Sequence, residues 1–151
     1  MVDFYKNFVF FITFLIFSIP SSVIDFKQKR IPDKIIFPGI IILTGFRIIF
    51  FEDLLSIVAL KVITGPLIFL LVYLFTHGKL GIGDIKFAAL IGVFTGFPGL
   101  LVAIGLASLM GLVFSVIGLI AGTLQLTTKI PFAPFLTLGG FLTFLIFNPF
   151  I

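Results

Sequence analysis

The sequence predicts an all-α protein, a polytopic membrane helix bundle of about six transmembrane helices forming a single domain over residues 1–151. Of the 151 residues 60% are hydrophobic and only 11% are charged, and the mean hydropathy is +1.37. Charges, prolines and glycines interrupt the apolar runs at roughly span-length intervals. No soluble core of this size takes up so much apolar surface. At about 20 residues per span, six spans use about 120 residues and leave about 30 for every loop and both ends. A separate soluble domain is therefore not expected.

The runs fall at 4–24, 35–51, 54–76, 85–97, 99–122 and 133–150. The first, with Phe8–Ile19 following Lys6, has the outline of a secretory signal. It is Phe-rich, lacks an A-x-A site and continues into a polar stripe, so a retained helix is expected. The second and sixth follow Lys29-Arg30-Ile31-Pro32 and Thr128-Lys129-Ile130-Pro131. Proline is tolerated where a helix begins because its missing N–H would be unpaired there, so both stretches read as cytosolic helix starts. The third run ends near His77, a lone histidine expected to be solvated. The fourth is short, and Phe97-Pro98-Gly99 predicts a half-length or tilted helix meeting a tight turn. In the fifth, Ala107, Gly111 and Ser115, then Gly118 and Gly122, form small-residue rows suited to close helix contact. No solenoid period or low-complexity tract is present, and nothing in the pattern specifies an oligomeric state.

Ten Lys+Arg against six Asp+Glu give a net charge of +4. In so apolar a chain the basic residues read as topology markers rather than as a nucleic-acid face. Alternating the connections puts Lys27, Lys29, Arg30, Lys34, Lys79, Lys86 and Lys129 on one side and Lys6, Arg47 and Lys61 on the other. The positive-inside rule then places the 25–34, 77–84 and 123–132 connections in the cytosol and both termini outside. The basic 25–34 connection suits anionic lipid headgroups. Zero cysteines exclude disulfides, thiol catalysis and Cys-ligated zinc, and one histidine argues against a histidine-built metal site. Neither a metal nor a cofactor is expected.

Ionisable groups at membrane depth are functional candidates by default. Asp3, Asp33, Glu52 and Asp53 sit in terminal or connecting segments where water reaches them. Asp25 and Asp84 do not. Ser22, Ser21 and Ser18 lie three, four and seven residues before Asp25, a polar stripe beneath the carboxylate that should face other helices. Asp84 opens a row of small residues, Ala88, Gly92 and Gly96, at i+4 spacing, which marks a closely packed face. Each acid alone also reads as a helix cap, or for Asp25 as a partner of Lys29. Two inward acids on separate helices at one depth are harder to explain that way. Gly81 and Gly83 before Asp84 permit positive φ and close backbone approach, so the loop could present a carboxylate to a ligand. Lys86 could lower an Asp pKa, contact a substrate backbone or snorkel to the interface.

Juxtaposed carboxylates that share a proton perform aspartic-protease chemistry. The ionised member takes a proton from water while the protonated one polarises the scissile carbonyl. The same two acids would also suit a small proton-coupled membrane carrier, although no inverted repeat supports one. A non-enzymatic assembly subunit is a third reading.

Asp25 with Lys29-Arg30-Ile31-Pro32, Gly81-Ile82-Gly83-Asp84-Ile85-Lys86, and the stretch from Ile130-Pro131-Phe132 to Gly139-Gly140 resemble the three signature stretches of type IV prepilin peptidases. These are GxGD-type intramembrane aspartic proteases. The resemblance runs from Asp25 to Gly140 in the family's order. It implies that Asp25 and Asp84 are the catalytic pair, with Gly81, Gly83 and Lys86 shaping the loop or meeting substrate. The substrate would be a prepilin or pseudopilin whose short basic leader is cut after a glycine on the cytosolic side of the inner membrane. Larger bacterial members carry an N-terminal region with paired cysteines, associated with N-methylation, which this sequence lacks. It therefore resembles a minimal form, and methylation is not expected of it. Asp33 stands where the family commonly has Asn.

Overall fold

The computed structural model describes residues 2–78, 80–125 and 127–147. Lys79 of the charge argument and residues 148–150 of the sixth run lie outside the described residues. Five helical elements follow in order: α1 Val2–Gln28, α2 Asp33–Phe50, α3 Leu55–Phe75, α4 Ile82–Ile120 and α5 Ala133–Phe147. The expected all-α class is found. Helix α1 runs a turn past the end of its apolar run, which brings Asp25 inside the helix. Pro32 stands at the N-cap of α2, and Pro131 lies two residues before α5, as helix starts should have them.

Helix α4 joins the fourth and fifth apolar runs. Gly96 inside it has φ 72° and ψ 176°, a conformation that glycine alone adopts readily. Contacts with α5 on the two sides of Gly96 run in opposite senses. Before it, Ile91 meets Gly140 and Phe94 stacks on Phe144. After it, Gly99 faces Thr143, Ala103 faces Gly139 and Gly111 faces Phe135 of α5. The chain thus turns back at Gly96, and α4 is a pair of arms, 82–95 and 97–120. The reversal expected at Phe97-Pro98-Gly99 lies one residue earlier. At about 1.5 Å per residue the first arm is about 21 Å long, short of the ~30 Å apolar core of a bilayer.

That first arm is the centre of the bundle. Every residue from Phe87 to Phe94 is buried, so it is packed on all sides by α1, α2, α3 and α5. Small residues let neighbours close on it. A Cβ on Gly65 would collide with the Ala88 carbonyl oxygen, and one on Gly92 with that of Lys61. Of the Asp84–Ala88–Gly92–Gly96 row expected to pack closely, Ala88 and Gly92 do so, against α3. Aromatic rings fill the other side: Phe94 stacks on Phe14 at 3.8 Å and on Phe144 at 4.8 Å between centroids. The second arm packs on α5 in the same way, since a Cβ on Gly139 would meet the Ala103 carbonyl.

Among the described residues three helices, Phe4–Gln28, Leu55–Phe75 and Ile82–Ile120, are long and apolar enough to cross a membrane, the last being the folded-back pair of arms. Helix α5 is apolar but shorter, and α2 carries Asp33, Lys34 and Arg47 within 18 residues. Length and apolarity thus single out fewer self-sufficient spans than the six expected.

One polar cluster belongs to the end of the bundle where α4 reverses. Pro98 has no N–H to return to the Phe94 carbonyl. Arg47 fills that opening, donating Nη2 to Phe94 O at 2.8 Å and Nε to Val93 O at 3.2 Å. Its guanidinium also lies 4.8 Å from the Phe10 ring centroid and 5.1 Å from that of Phe51. Asp53 pairs with it at 3.8 Å and with Lys61 at 2.6 Å. Arg47 and Lys61, read from sequence only as topology markers, hold the turn together.

Candidate active site

The other end of the bundle gathers the mouths of α1, α2, α4 and α5. Asp25 lies in the last turn of α1 and is buried, 6% exposed. Its Oδ2 accepts a hydrogen bond of 3.1 Å from the Ala133 N–H, the first residue of α5. The opening N–H groups of a helix lack partners within it, so a carboxylate there is held by both the bond and the helix dipole. Below Asp25 the serine stripe is buried as expected: Ser18 and Ser21 are fully covered, and Ser22 shares a 2.7 Å hydrogen bond with Thr137 of α5. Asp25 therefore pairs with α5, and none of the ion pairs among the described residues joins it to Lys29.

Asp84 is the third residue of α4, and its carboxylate folds back to the N–H of Gly81, the N-cap. An acid at the third helical position commonly closes this loop. Gly81 leaves room for that fold-back: a Cβ there would stand 2.9 Å from Asp84 Oδ2. Gly83 gives Ile31 a close seat, since its Cβ would lie 3.0 Å from Ile31 Cβ. The positive φ expected at these glycines is not found. Gly81 has φ −70°, Gly83 is not left-handed, and the left-handed residues upstream are His77 at 53° and Gly78 at 79°. Close approach, not torsional freedom, is what the two glycines supply. His77 is exposed at the helix end, as expected of a solvated residue.

Both acids are thus caps, and both also face one space. A cavity of about 640 Å³ is lined by Asp25 and Asp84 together with residues 28–34 and 81–83 and Lys86. A second, of about 400 Å³, shares Asp25, Lys29, Gly81 and Asp84 and extends to residues 129–132. The carboxylates stand where the two cavities meet, near enough for the charge of Asp25 to act on Asp84. Lys86 does not turn to either. Its Nζ lies 2.7 and 2.8 Å from the two carboxylate oxygens of Asp33.

The sequence reading did not anticipate two participants, the Ala133 N–H and Thr137. Both lie within the Ile130–Gly140 signature stretch, which was the available signal. Asp33 was read as a solvated loop acid and, on the resemblance, as a further carboxylate near the site with no assigned role; its pairing with Lys86 was not foreseen. Among the described residues no group of three or more His, Cys, Asp or Glu is placed to hold a metal ion.

The fold and this carboxylate pair define a multi-pass membrane helix bundle with an acid-lined cavity at one end of its helices. Comparison with known proteins gives the lineage: the chain belongs to the type IV leader peptidase family, whose profile matches residues 9–116. It is similar to the prepilin leader peptidase/N-methyltransferase of Bacillus subtilis (strain 168), with 31% identity over 134 residues, covering 89% of this chain and 54% of the relative. It is also similar to the prepilin leader peptidase/N-methyltransferase of Xanthomonas campestris pv. campestris, with 31% identity over 137 residues, 85% of this chain and 46% of the relative. The chain spans about half the length of these curated relatives. No solved structure matches it.

Proposed function

We propose that this chain is an intramembrane aspartic endopeptidase that removes the short basic leader of type IV prepilin-like or pseudopilin-like precursors after a glycine, at the cytosolic face of the inner membrane. The observation that carries the reading is that Asp25 and Asp84, from separate helices, line one cavity. Two further features support it: the family, and the two relatives named as prepilin leader peptidases.

In this reading the two carboxylates share one proton, because like charges so placed do not both ionise. The ionised acid removes a proton from the attacking water, and the protonated acid donates to the scissile carbonyl. The Ala133 N–H and the Gly81 N–H hold the two carboxyl groups in orientation, so little rearrangement is needed at the moment of reaction. Residues 28–34 and 81–84, with Lys86, form the walls against which an extended peptide lies. Anionic lipid headgroups meet the basic residues at the same mouth. The proposal covers leader cleavage alone, and the methyl transfer named for the relatives is no part of it.

Incubating the purified protein with prepilin-like leader peptides tests the reading. A cut after glycine, lost in Asp25→Asn and Asp84→Asn, is the expected result. Retained cleavage in either variant would overturn it, and proton-linked flux without cleavage would favour a carrier using the same acids.

A further inference from the structure

The cavity has a wall on each side of its mouth, one formed by the link between α1 and α2 and the other by the start of α4. The bonds of the two acids leave these walls unconnected: Asp25 is held to α5, and Asp84 to its own helix start. Two contacts join them. Ile31 seats on Gly83, and Lys86, two residues after Asp84, grips both oxygens of Asp33, the first residue of α2. The same ammonium lies 5.6 Å from the ring centroid of Phe37, one turn along α2. Lys86 thus reaches α2 at two points.

We propose that the Asp33–Lys86 pair is a strap that holds the mouth of α2 against the mouth of α4 and so sets the spacing of Asp25 and Asp84, making Lys86 a positioning residue rather than a group that meets substrate. This rests on the aspartic peptidase reading. The pair is half exposed, with side-chain exposures of 33% and 54%, so it contributes little to global stability. Its leverage is geometric. A small bias in how the link docks is enough, because reacting groups misplaced by about 1 Å can lose on the order of a hundredfold in rate. Asp33 also suits its position, since an acid in the first turn of α2 complements the helix dipole. Lys29, Arg30 and Lys34 line the same mouth, yet the carboxylate is bonded to Lys86.

The test uses the full chain, which has no cysteine, so an introduced pair reports without background. In membranes, Ile31→Cys with Gly83→Cys places two thiols within disulfide reach after a small shift. Oxidative cross-linking of this pair should slow about fivefold when Lys86→Ala or Asp33→Ala is added, the factor an exposed pair of this kind supplies. It should recover in Lys86→Arg and in the exchange Asp33→Lys with Lys86→Asp. In the cysteine-free chain, Lys86→Ala and Asp33→Ala should each lower kcat for a leader peptide with KM unchanged, and Lys86→Arg should restore it. Cross-linking indifferent to all these changes would overturn the strap. So would a raised KM in Lys86→Ala with Asp33→Ala silent, the signature of substrate contact. If the unsubstituted chain cuts no leader peptide the peptidase reading fails, while the cross-linking arm still decides whether the strap exists.

Discussion

Replacing Arg47 by methionine removes the guanidinium while keeping most of the side chain's length, and so isolates the contribution of the clamp at the α4 reversal. Two hydrogen bonds from a charged donor to the Val93 and Phe94 carbonyls are lost, each worth about 1.5–3 kcal/mol. Asp53 is not orphaned, because Lys61 remains 2.6 Å away. The ring contacts with Phe10 and Phe51 persist in part as apolar packing. The net expectation is a destabilisation of about 3 kcal/mol, which at roughly 2–4 °C per kcal/mol for a chain of this size lowers the thermal midpoint by about 6–12 °C. Arg47→Lys keeps the ion pair with Asp53 but loses the fork that spans two carbonyls, and should fall between. The assay is the fraction of detergent-solubilised protein that stays monodisperse after heating. A midpoint for Arg47→Met within about 1 °C of the parent, where one lost clamp should move it several degrees, would refute the reasoning.

Asp25→Asn and Asp84→Asn should each abolish leader cleavage at normal abundance in the membrane, and the double variant should be no worse than either, since the pair acts as a unit; the amide oxygen that Asp25→Asn introduces can still accept from the Ala133 N–H, so the fold is preserved. Gly83→Val should impair cleavage because its side chain meets Ile31, and trimming that neighbour with Ile31→Ala should recover part of the activity, which a purely torsional effect would not allow. Gly92→Leu should reduce the folded yield severely, because a side chain there runs into the Lys61 backbone rather than into a movable side chain; a normal yield would contradict the close α3–α4 crossing. A single cysteine at Arg30 should react with a membrane-impermeant thiol reagent only from the cytosolic side, and labelling from outside would reverse the topology argument.

Helix content and the two acids were legible because both rest on local rules. Apolar runs of span length admit few other structures, and an acid at the very end of such a run, above a polar or small-residue stripe, stands out. The serine stripe below Asp25 was legible for the same reason, as periodicity alone turned it inward. What escaped needed partners distant in sequence. Asp33 looked like a solvated loop acid until Lys86 was found across the mouth, and Arg47 looked like a topology marker until the break at Gly96 gave it carbonyls to cap. The glycines of the 81–83 loop show a subtler miss. Sequence suggested that glycine was required there but not why, since torsional need and lack of room leave the same residue. The number of spans was the weakest inference, because charges in α2 and the shortness of α5 depend on neighbours for their tolerance in the bilayer.

The bond between Asp25 and Ala133 spans 108 residues of chain, which makes it a matter of time as well as of space. At roughly 5–20 residues per second, a ribosome takes about 5–20 s to get from one partner to the other. Throughout that interval the nascent chain holds one acid without the backbone group that orients it, and the serine stripe without Thr137. In the proposed peptidase, proteolytic competence therefore arrives only with the docking of α5, and an unfinished chain in the membrane is no hazard to its neighbours. A fragment ending before Ala133 should be inert, and supplying residues 133–147 as a separate helix should switch it on.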